Sequence, residues 1–281
     1  SALTAIAAAG KVEEILDTDT SRPYEPSLPE DPKHFEGIRM DHVSYGYEGR
    51  SRALQDISLT VPKGTVAALV GLSGCGKSTL LSLLCGLLTP EEGSIVIDGI
   101  DRRDSPAVIG YMLQKDHLFE WRSILSNTAL GLEIHGNVSP NDKKDLLSML
   151  KTYGLEQFSA SRPSELSGGM RQRAALIRTM ALKPDILLLD EPFSALDYQT
   201  RLEVCDDISS IIRTRGKTAI LVTHDLSEAI SVADRILILG SRPGHVTGIM
   251  KIQFNQPYDR PLARRNAPDF SVYFNQLWKE I

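Results

Sequence analysis

Short apolar runs alternate with amphipathic stretches along most of the chain, from about residue 37 onward. Ile57, Leu59 and Val61 alternate with polar residues, which predicts a strand with one solvated face. Val66–Val70 is continuously apolar over the length of a strand, which favours a strand buried on both faces. The same reasoning predicts further strands at Ser94–Asp98, Val108–Leu113, Ile186–Leu189, Ala219–Val222 and Ile236–Leu239. Helical patterns separate these runs, so an α/β fold with a mostly parallel sheet is predicted.

The helical patterns divide the chain into segments. Apolar spacing predicts a helix at Ser78–Leu88, and the stretch over about 115–180 predicts a helical insertion with few strand signals. Prolines recur every three residues before the central domain, which favours an extended N-terminal arm over residues 1–35. The central domain is predicted over 36–250, and the remaining 251–281 as a tail with an amphipathic helix.

Composition and charge restrict the classes of function. The 281 residues include 31 Lys and Arg against 36 Asp and Glu, a net charge of −5. A mildly acidic chain is a poor candidate for neutralising nucleic-acid phosphates, so no nucleic-acid partner is predicted. No apolar run approaches the ~18–20 residues that cross a bilayer, and three widely spaced cysteines give no disulfide framework. A membrane role would therefore come through a separate partner.

Residues 71–79 match a glycine-rich phosphate-binding pattern, with the sequence GLSGCGKST. A buried strand precedes this segment and a helix follows it, an arrangement that places backbone amides and a helix N-terminus around a phosphate. Lys77 is predicted to contact the β- and γ-phosphates, and the Ser78 hydroxyl to ligate Mg²⁺. The residues assigned to nucleotide binding here are Gly71, Ser73, Gly74, Cys75, Gly76, Lys77, Ser78 and Thr79.

Two carboxylates end another buried strand, in the run ILLLDEP at 186–192. Ligands in open α/β sheets bind at the carboxyl edge of the strands, where Asp190 and Glu191 are therefore expected. Asp190 is predicted to hold Mg²⁺, and Glu191 to act as the general base on an attacking water.

A second anion site is predicted where the run LSGGMRQR begins a helix. Ser167, Gly168 and Gly169 offer a hydroxyl and exposed backbone amides at the helix N-terminus. One triphosphate does not need two such sites in one chain. The economical explanation is that this second site contacts the γ-phosphate bound to another copy of the chain.

Together these motifs resemble the nucleotide-binding subunit of an ATP-binding cassette (ABC) transporter, over about residues 37–250. The resemblance implies a P-loop NTPase (RecA-like) fold with a mostly parallel sheet core, an antiparallel β subdomain and an inserted α-helical subdomain. It also implies a head-to-tail dimer that hydrolyses ATP. ATP and Mg²⁺ would lie between the phosphate loop of one copy and the Leu166–Gly169 signature of the other.

The resemblance assigns roles to residues that carry no signal alone. Gln114 matches the glutamine that links Mg²⁺ and water to the helical insertion, and His224 matches the histidine that bonds the γ-phosphate. Asp197 ends the segment SALD, which matches the loop that crosses the dimer interface and contacts the nucleotide site. Tyr47 matches the aromatic residue that stacks on adenine, with Tyr45 as the alternative.

Several segments resemble one branch of the family, the importers for nitrate, sulfonates, taurine and bicarbonate. These segments are LSGGMRQR, His117–Asn127 with its Trp-Arg pair, Glu191–Arg201 and Ser241–Val246. Glu120 departs from this branch, where proline is usual. By the same resemblance, residues 118–125 help to form the groove that receives a coupling helix of a membrane permease.

The importer interpretation implies a peripheral subunit on the cytoplasmic face of the cell membrane, which powers import of a small anionic or polar solute. Its partners would be a second ABC ATPase subunit, an integral membrane permease and, indirectly, a periplasmic or lipid-anchored solute-binding protein. One alternative is a detached exporter domain, because residues 11–17 and 37–47 faintly resemble an exporter tether. The other alternative is a soluble, non-transport ABC ATPase. The sequence does not identify the solute.

Overall fold

The computed structural model describes residues 36–49, 51–136, 138–194, 196–255, 258 and 260–281. The predicted arm over residues 1–35 lies outside the described residues. Two sheets and a set of helices make up the described part of the chain, and none of these helices is long and apolar enough to cross a membrane.

An antiparallel sheet begins the described chain. Its strands are β1 (Gly37–Gly46), β2 (Arg52–Pro62), β4 (Glu92–Ile97) and β5 (Ile100–Asp101). Their order in the sheet is β2–β1–β4–β5, with each neighbouring pair antiparallel. Ile57, Leu59 and Val61 are buried in the core of this sheet, as their alternation with polar residues predicted.

The larger sheet contains the predicted buried strands. Its members are β3 (Val66–Gly71), β6 (Ile109–Met112), β7 (Ile186–Asp190), β8 (Thr218–Val222), β9 (Arg235–Leu239) and β10 (Val246–Lys251). Within the described residues their order is β10–β9–β3–β8–β7–β6. All neighbours are parallel except β10, which pairs antiparallel with β9. The mostly parallel α/β sheet is therefore confirmed, and the carboxyl ends of its parallel strands meet at one edge.

Helices connect these strands. Their bounds are α1 (Lys77–Leu84), α2 (Ile124–His135), α3 (Pro140–Thr152), α4 (Gly168–Ala181), α5 (Tyr198–Thr214), α6 (Leu226–Val232), α7 (Pro261–Arg265) and α8 (Phe270–Glu280). Two short 3₁₀ segments, Glu156–Phe158 and Pro163–Glu165, lie between α3 and α4. The prediction that the first helix reaches Leu88 is wrong, because Cys85 caps it and Gly86 leaves the helical region with φ 81°.

The C-terminal helix α8 packs on the side of the larger sheet opposite the antiparallel sheet's core. Tyr273 and Leu277 are buried there together with Ala229 and Ile230 of α6. A separate apolar core joins α2, α3, α4 and α5 to the sheet. The helices over 124–181 therefore rest on the same sheet whose edge carries the predicted site.

Candidate functional site

The phosphate loop connects the central strand β3 to α1, at the edge where the parallel strands end. Gly76 precedes the helix with φ 96°, and a Cβ there would lie 2.5 Å from Cδ2 of Leu54. Only glycine fits this position, because both the backbone conformation and the space exclude a side chain. The first backbone amides of α1 have no intrahelical partner, so they are available to an anion at this end of the helix.

The side chain of Lys77 folds back onto this loop and is only 8% exposed. Its Nζ donates hydrogen bonds to the carbonyl oxygens of Gly71 (2.8 Å) and Leu72 (3.0 Å). The thiol of Cys75 is buried beside it, 3.7 Å from Nζ, and the Cys75 amide donates to Leu72 O at 3.2 Å. The loop therefore combines the ammonium group of Lys77, fixed by hydrogen bonds, with backbone amides. Groups of these two kinds bind a phosphate chain.

Asp190 ends β7 next to this loop and is 6% exposed. Burial raises the pKa of its carboxyl group, and a hydrogen bond from the Ser78 hydroxyl opposes that rise. Tyr111 on the neighbouring strand β6 also bonds to Asp190, and burial, followed by the charge of Asp190, raises the pKa of Tyr111 to about 12. Of the three predicted Mg²⁺ ligands, Ser78 and Asp190 are thus in contact, whereas the third, Gln114, bonds to Glu191.

This oxygen donor set fits Mg²⁺ only as part of a nucleotide site. Mg²⁺ in proteins is held by one or two carboxylates together with substrate phosphates and water. Among the described residues no group of three or more His, Cys, Asp or Glu side chains could hold a metal ion by itself. Ser78 and Asp190 supply a hydroxyl and a carboxylate, which leaves the other positions for phosphate and water.

The carboxylate of Glu191 lies at the centre of the three predicted catalytic residues. Gln114 donates from Nε2 to Glu191 Oε2 at 3.0 Å, and His224 Nδ1 lies 3.3 Å from Glu191 Oε1. Glu191 has φ 46°, and its amide donates to Val222 O at 2.9 Å on β8. Gln114 and His224 both follow strands of the larger sheet, so the sheet edge brings together residues that are far apart in sequence.

The signature segment forms a different arrangement. Ser167 caps α4, and its hydroxyl accepts from the Met170 amide at 3.3 Å. Asp197 caps α5 by accepting from the Thr200 amide at 3.0 Å, and hydrogen bonding to Thr200 lowers the pKa of Asp197. A Cβ at Gly169 would lie 2.8 Å from Cγ2 of Thr200, so the two helix starts are in close contact.

In the described part of one chain, the signature segment is not bonded to the phosphate loop. Among the described residues, no hydrogen bond or ion pair joins Ser167–Gly169 or Asp197 to residues 71–79. The signature end of α4 instead faces a cavity of about 530 Å³, bounded by Gln114, His117 and Ser194.

Tyr47 lies beside the start of α1. Its hydroxyl is 3.2 Å from the hydroxyl of Thr79, and the side chain is 41% exposed. Tyr45 packs edge-on against it, with ring centroids 5.1 Å apart, and contacts the core of the antiparallel sheet. Tyr47 is therefore the tyrosine of the pair with the more accessible ring beside the phosphate loop.

The loop after Gln114 is fastened to α4. Arg171 donates to the Asp116 carboxylate at 3.1 Å, and Arg178 donates to the carbonyl oxygens of Asp116 (2.6 Å) and His117 (2.8 Å). Beyond this loop, Phe119 and Trp121 stack with ring centroids 4.7 Å apart, and Trp121 is strongly exposed.

Sequence reasoning missed Tyr111 and Arg178. The available signal for Tyr111 was a single tyrosine inside the predicted strand Val108–Leu113, since a strand that neighbours β7 can carry a hydroxyl to Asp190. Arg178 had no comparable signal, because an arginine on a helix is usually solvated.

Comparisons with known proteins identify the family. The family model described as "ABC transporter" matches residues 54–194. The uncharacterized ABC transporter ATP-binding protein YtlC of Bacillus subtilis is 42% identical over 247 residues, 87% of this chain and 95% of that protein. The taurine import ATP-binding protein TauB of Yersinia pestis is 40% identical over 212 residues, 75% of this chain and 83% of that protein.

Solved structures with a similar fold include ABC cassettes. The dimeric post-hydrolysis state of the ATP-binding cassette MJ0796, bound to ADP and phosphate, is 30% identical with a TM-score of 0.68. That similarity covers 78% of this chain and 100% of the other chain.

Proposed function

The chain belongs to the ABC transporter family as an ATP-hydrolysing cassette of the taurine and sulfonate importer branch, and we propose that it powers import of a small anionic or polar solute through a separate permease. The observation that carries the catalytic part of this proposal is the Glu191 carboxylate, held between Gln114 and His224 beside the phosphate loop.

ATP binds with its phosphate chain on the phosphate loop. Lys77 supplies the positive charge, the first amides of α1 supply hydrogen bonds, and the ring of Tyr47 is placed to stack on the adenine. Ser78 and Asp190 would hold Mg²⁺, which neutralises charge that develops on the phosphates. Tyr111 keeps Asp190 in position through its hydrogen bond.

Hydrolysis uses the Glu191 carboxylate as the general base. Glu191 accepts a proton from the attacking water at a carboxylate oxygen, while the Gln114 amide and the His224 ring fix the orientation of that carboxylate. His224 is 65% exposed on its side chain, so it can also reach a γ-phosphate. Each of these groups lies at the carboxyl edge of the sheet, where the strands hold it rigidly.

Two copies of the chain complete two nucleotide sites. Each site combines the phosphate loop and Glu191 of one copy with Ser167–Gly169 and the Asp197 segment of the other, in a head-to-tail homodimer. Among the described residues of one chain, no bond joins the phosphate loop to the signature segment, which supports this arrangement, as do the dimeric structures of related cassettes.

The permease docks beside Phe119 and Trp121. This exposed aromatic pair directly follows, in sequence, the loop that carries Gln114. Arg171 and Arg178 bind that loop to the signature helix α4. A change at the nucleotide therefore moves the docking surface and the signature together. The subunit would act on the cytoplasmic face of the membrane, with a solute-binding protein delivering the solute on the other side.

Co-purification tests the transport assignment. Tagged Glu191→Gln, which we expect to bind ATP without completing hydrolysis, would be expressed in the source cell, held with ATP and Mg²⁺, extracted in mild detergent and analysed by mass spectrometry. We expect a separate integral membrane permease. The matched control adds Phe119→Ser and Trp121→Ser, which should lose the permease and keep ATP binding.

Other outcomes of this experiment contradict the proposal. Recovery of ribosomes or soluble proteins alone would favour a soluble ABC ATPase. Recovery of the chain as part of a longer polypeptide with membrane helices would favour an exporter domain. Equal recovery of the permease with the control variant would remove the aromatic pair from the docking surface.

A further inference from the structure

An arginine from another segment of the chain, outside the nucleotide-binding motifs, packs against the phosphate loop. Arg242 belongs to the segment 240–245, which follows β9. Strands β3 and β9 are parallel neighbours, with Gly71 in register with Leu239. The phosphate loop and the 240–245 segment therefore leave the sheet side by side at the same edge.

Backbone hydrogen bonds fix the 240–245 segment in this place. The Gly240 amide donates to His245 O at 2.9 Å and closes the segment. The Gly244 amide donates to Ala53 O at 2.9 Å, and the Gln55 amide donates to Gly244 O at 2.8 Å, which ties the segment to β2. These hydrogen bonds thus fix the main chain that carries Arg242.

Gly244 also brings the segment against the phosphate loop itself. A Cβ at Gly244 would lie 2.1 Å from the carbonyl oxygen of Cys75, so only a glycine permits this approach. The guanidinium group of Arg242 reaches Gly74 from the same side. Its Nη2 lies 2.9 Å from the point that a Cβ of Gly74 would occupy.

The charge of Arg242 is not used within the described part of the chain. The side chain is exposed, and none of the described residues gives it a hydrogen-bond or ion-pair partner. Lys77, by contrast, is buried and donates to two carbonyl oxygens. A guanidinium group has several donors in a planar fork that suits phosphate oxygens.

We propose that Arg242 is a further binding residue for the phosphate chain of the nucleotide, acting from the outer side of the phosphate loop as a second cation beside Lys77. This inference rests on the proposed ATP site. Because Arg242 is exposed, its attraction for the phosphates is partly screened by salt, unlike that of the buried Lys77.

Calorimetric titration of the purified chain with ATP, ADP and adenosine tests this role. Arg242→Gln should raise the Kd for ATP about five- to tenfold at low salt, raise that for ADP less, and leave that for adenosine unchanged. Added salt should shrink the difference from the unsubstituted chain. Arg242→Lys keeps the charge and should recover most of the affinity.

Arg215→Gln is the matched control, since Arg215 is also exposed but lies at the end of α5. It should leave all three Kd values unchanged. Thermal unfolding of each variant checks that the fold is kept, and Arg242→Lys supplies a second comparison if Arg242→Gln unfolds.

Two results would overturn the inference. One is an unchanged ATP affinity in Arg242→Gln. The other is an equal loss for ATP and adenosine that salt does not alter, since Arg242 would then only support the loop. Lys77→Ala separates this failure from that of the site: if Lys77→Ala still binds ATP normally, the proposed ATP site itself is wrong.

Discussion

The two predicted parts of the nucleotide site are built by different means. At the sheet edge, Gln114, Glu191 and His224 come from distant parts of the sequence and meet because parallel strands end together. At the signature, Ser167 and Asp197 each bond to residues only three positions away, as helix caps do. The first part depends on the whole fold. The second consists of local helix caps, which in the proposed dimer contact the nucleotide bound to the other copy of the chain.

This difference has a chemical consequence. Groups held by a sheet lie at fixed distances from each other, which suits proton transfer and charge stabilisation. The starts of α4, on the inserted region, and of α5, which follows β7, offer anion-binding amides that act only when they are brought to a phosphate. We therefore expect the chemistry at the sheet edge and its control at the signature, and four experiments test that division.

The largest effect is expected for Glu191→Gln. Turnover should fall by ~10²–10⁴ because the amide cannot accept the proton of the attacking water, while ATP binding stays intact. Steady-state phosphate release and nucleotide titration measure the two effects. Glu203→Gln, at an exposed position on α5, is the control. Turnover close to normal in Glu191→Gln would remove this residue from the chemical step.

The division into two parts predicts complementation between variants. Lys77→Ala damages the sheet-edge part, and Gly168→Asp places a negative charge at the signature. Each variant alone should be inactive, but a mixed dimer contains one site in which both parts are intact. The mixture should hydrolyse ATP at least about tenfold faster than either variant. A mixture no faster than its components would mean that each chain completes its own site.

A smaller effect is expected at Tyr47. Tyr47→Ala removes the ring that is placed to stack on adenine, so ATP should bind about two- to tenfold more weakly. Tyr47→Phe keeps the ring and should bind normally, although it loses the contact with Thr79. Titration with ATP distinguishes the variants. If Tyr47→Phe were as weak as Tyr47→Ala, the hydroxyl contact and not the stacking would matter.

The smallest effect compares two helix caps. Ser139 caps α3 in a reciprocal arrangement with Asp142, and Ser167 caps α4. Either serine to alanine change should lower the free energy of unfolding by about 1 kcal/mol, as loss of a cap does. Only Ser167→Ala should also slow ATP hydrolysis. Chemical denaturation and turnover assays, run in parallel, test whether Ser167 does more than cap its helix.

Most of the larger sheet could be predicted from sequence because its strands are short, apolar and buried on both faces. The strand β1 was not predicted, although it is central to the antiparallel sheet. Register shifts interrupt its pairing between Met40 and Val43, and His42 has φ 50°, so its apolar residues do not alternate regularly. An irregular strand of this kind leaves no period for sequence analysis to detect.

The candidate site was predictable where a motif has a physical reason at a fixed spacing, as at Lys77, Ser78 and Asp190. Gln114 and His224 could be placed only by resemblance, because their meeting at Glu191 depends on the order of strands in the sheet. Arg242 was not assigned to the site, although its segment Ser241–Val246 was among those that resemble the importer branch. Its position depends on a pair of main-chain contacts with β2, which no local pattern records.

Asn127 braces the exposed aromatic segment that we propose as the permease docking surface. The Asn127 side chain is buried, accepts from the Phe119 amide at 2.7 Å, and donates to the carbonyl oxygens of Phe119, Arg122 and Ser123. Because the segment is held from within through its main chain, its outward side chains can change without loss of shape. On the proposed docking surface, an outward side chain such as Glu120 would then help to select the permease, while the ATPase chemistry stays the same.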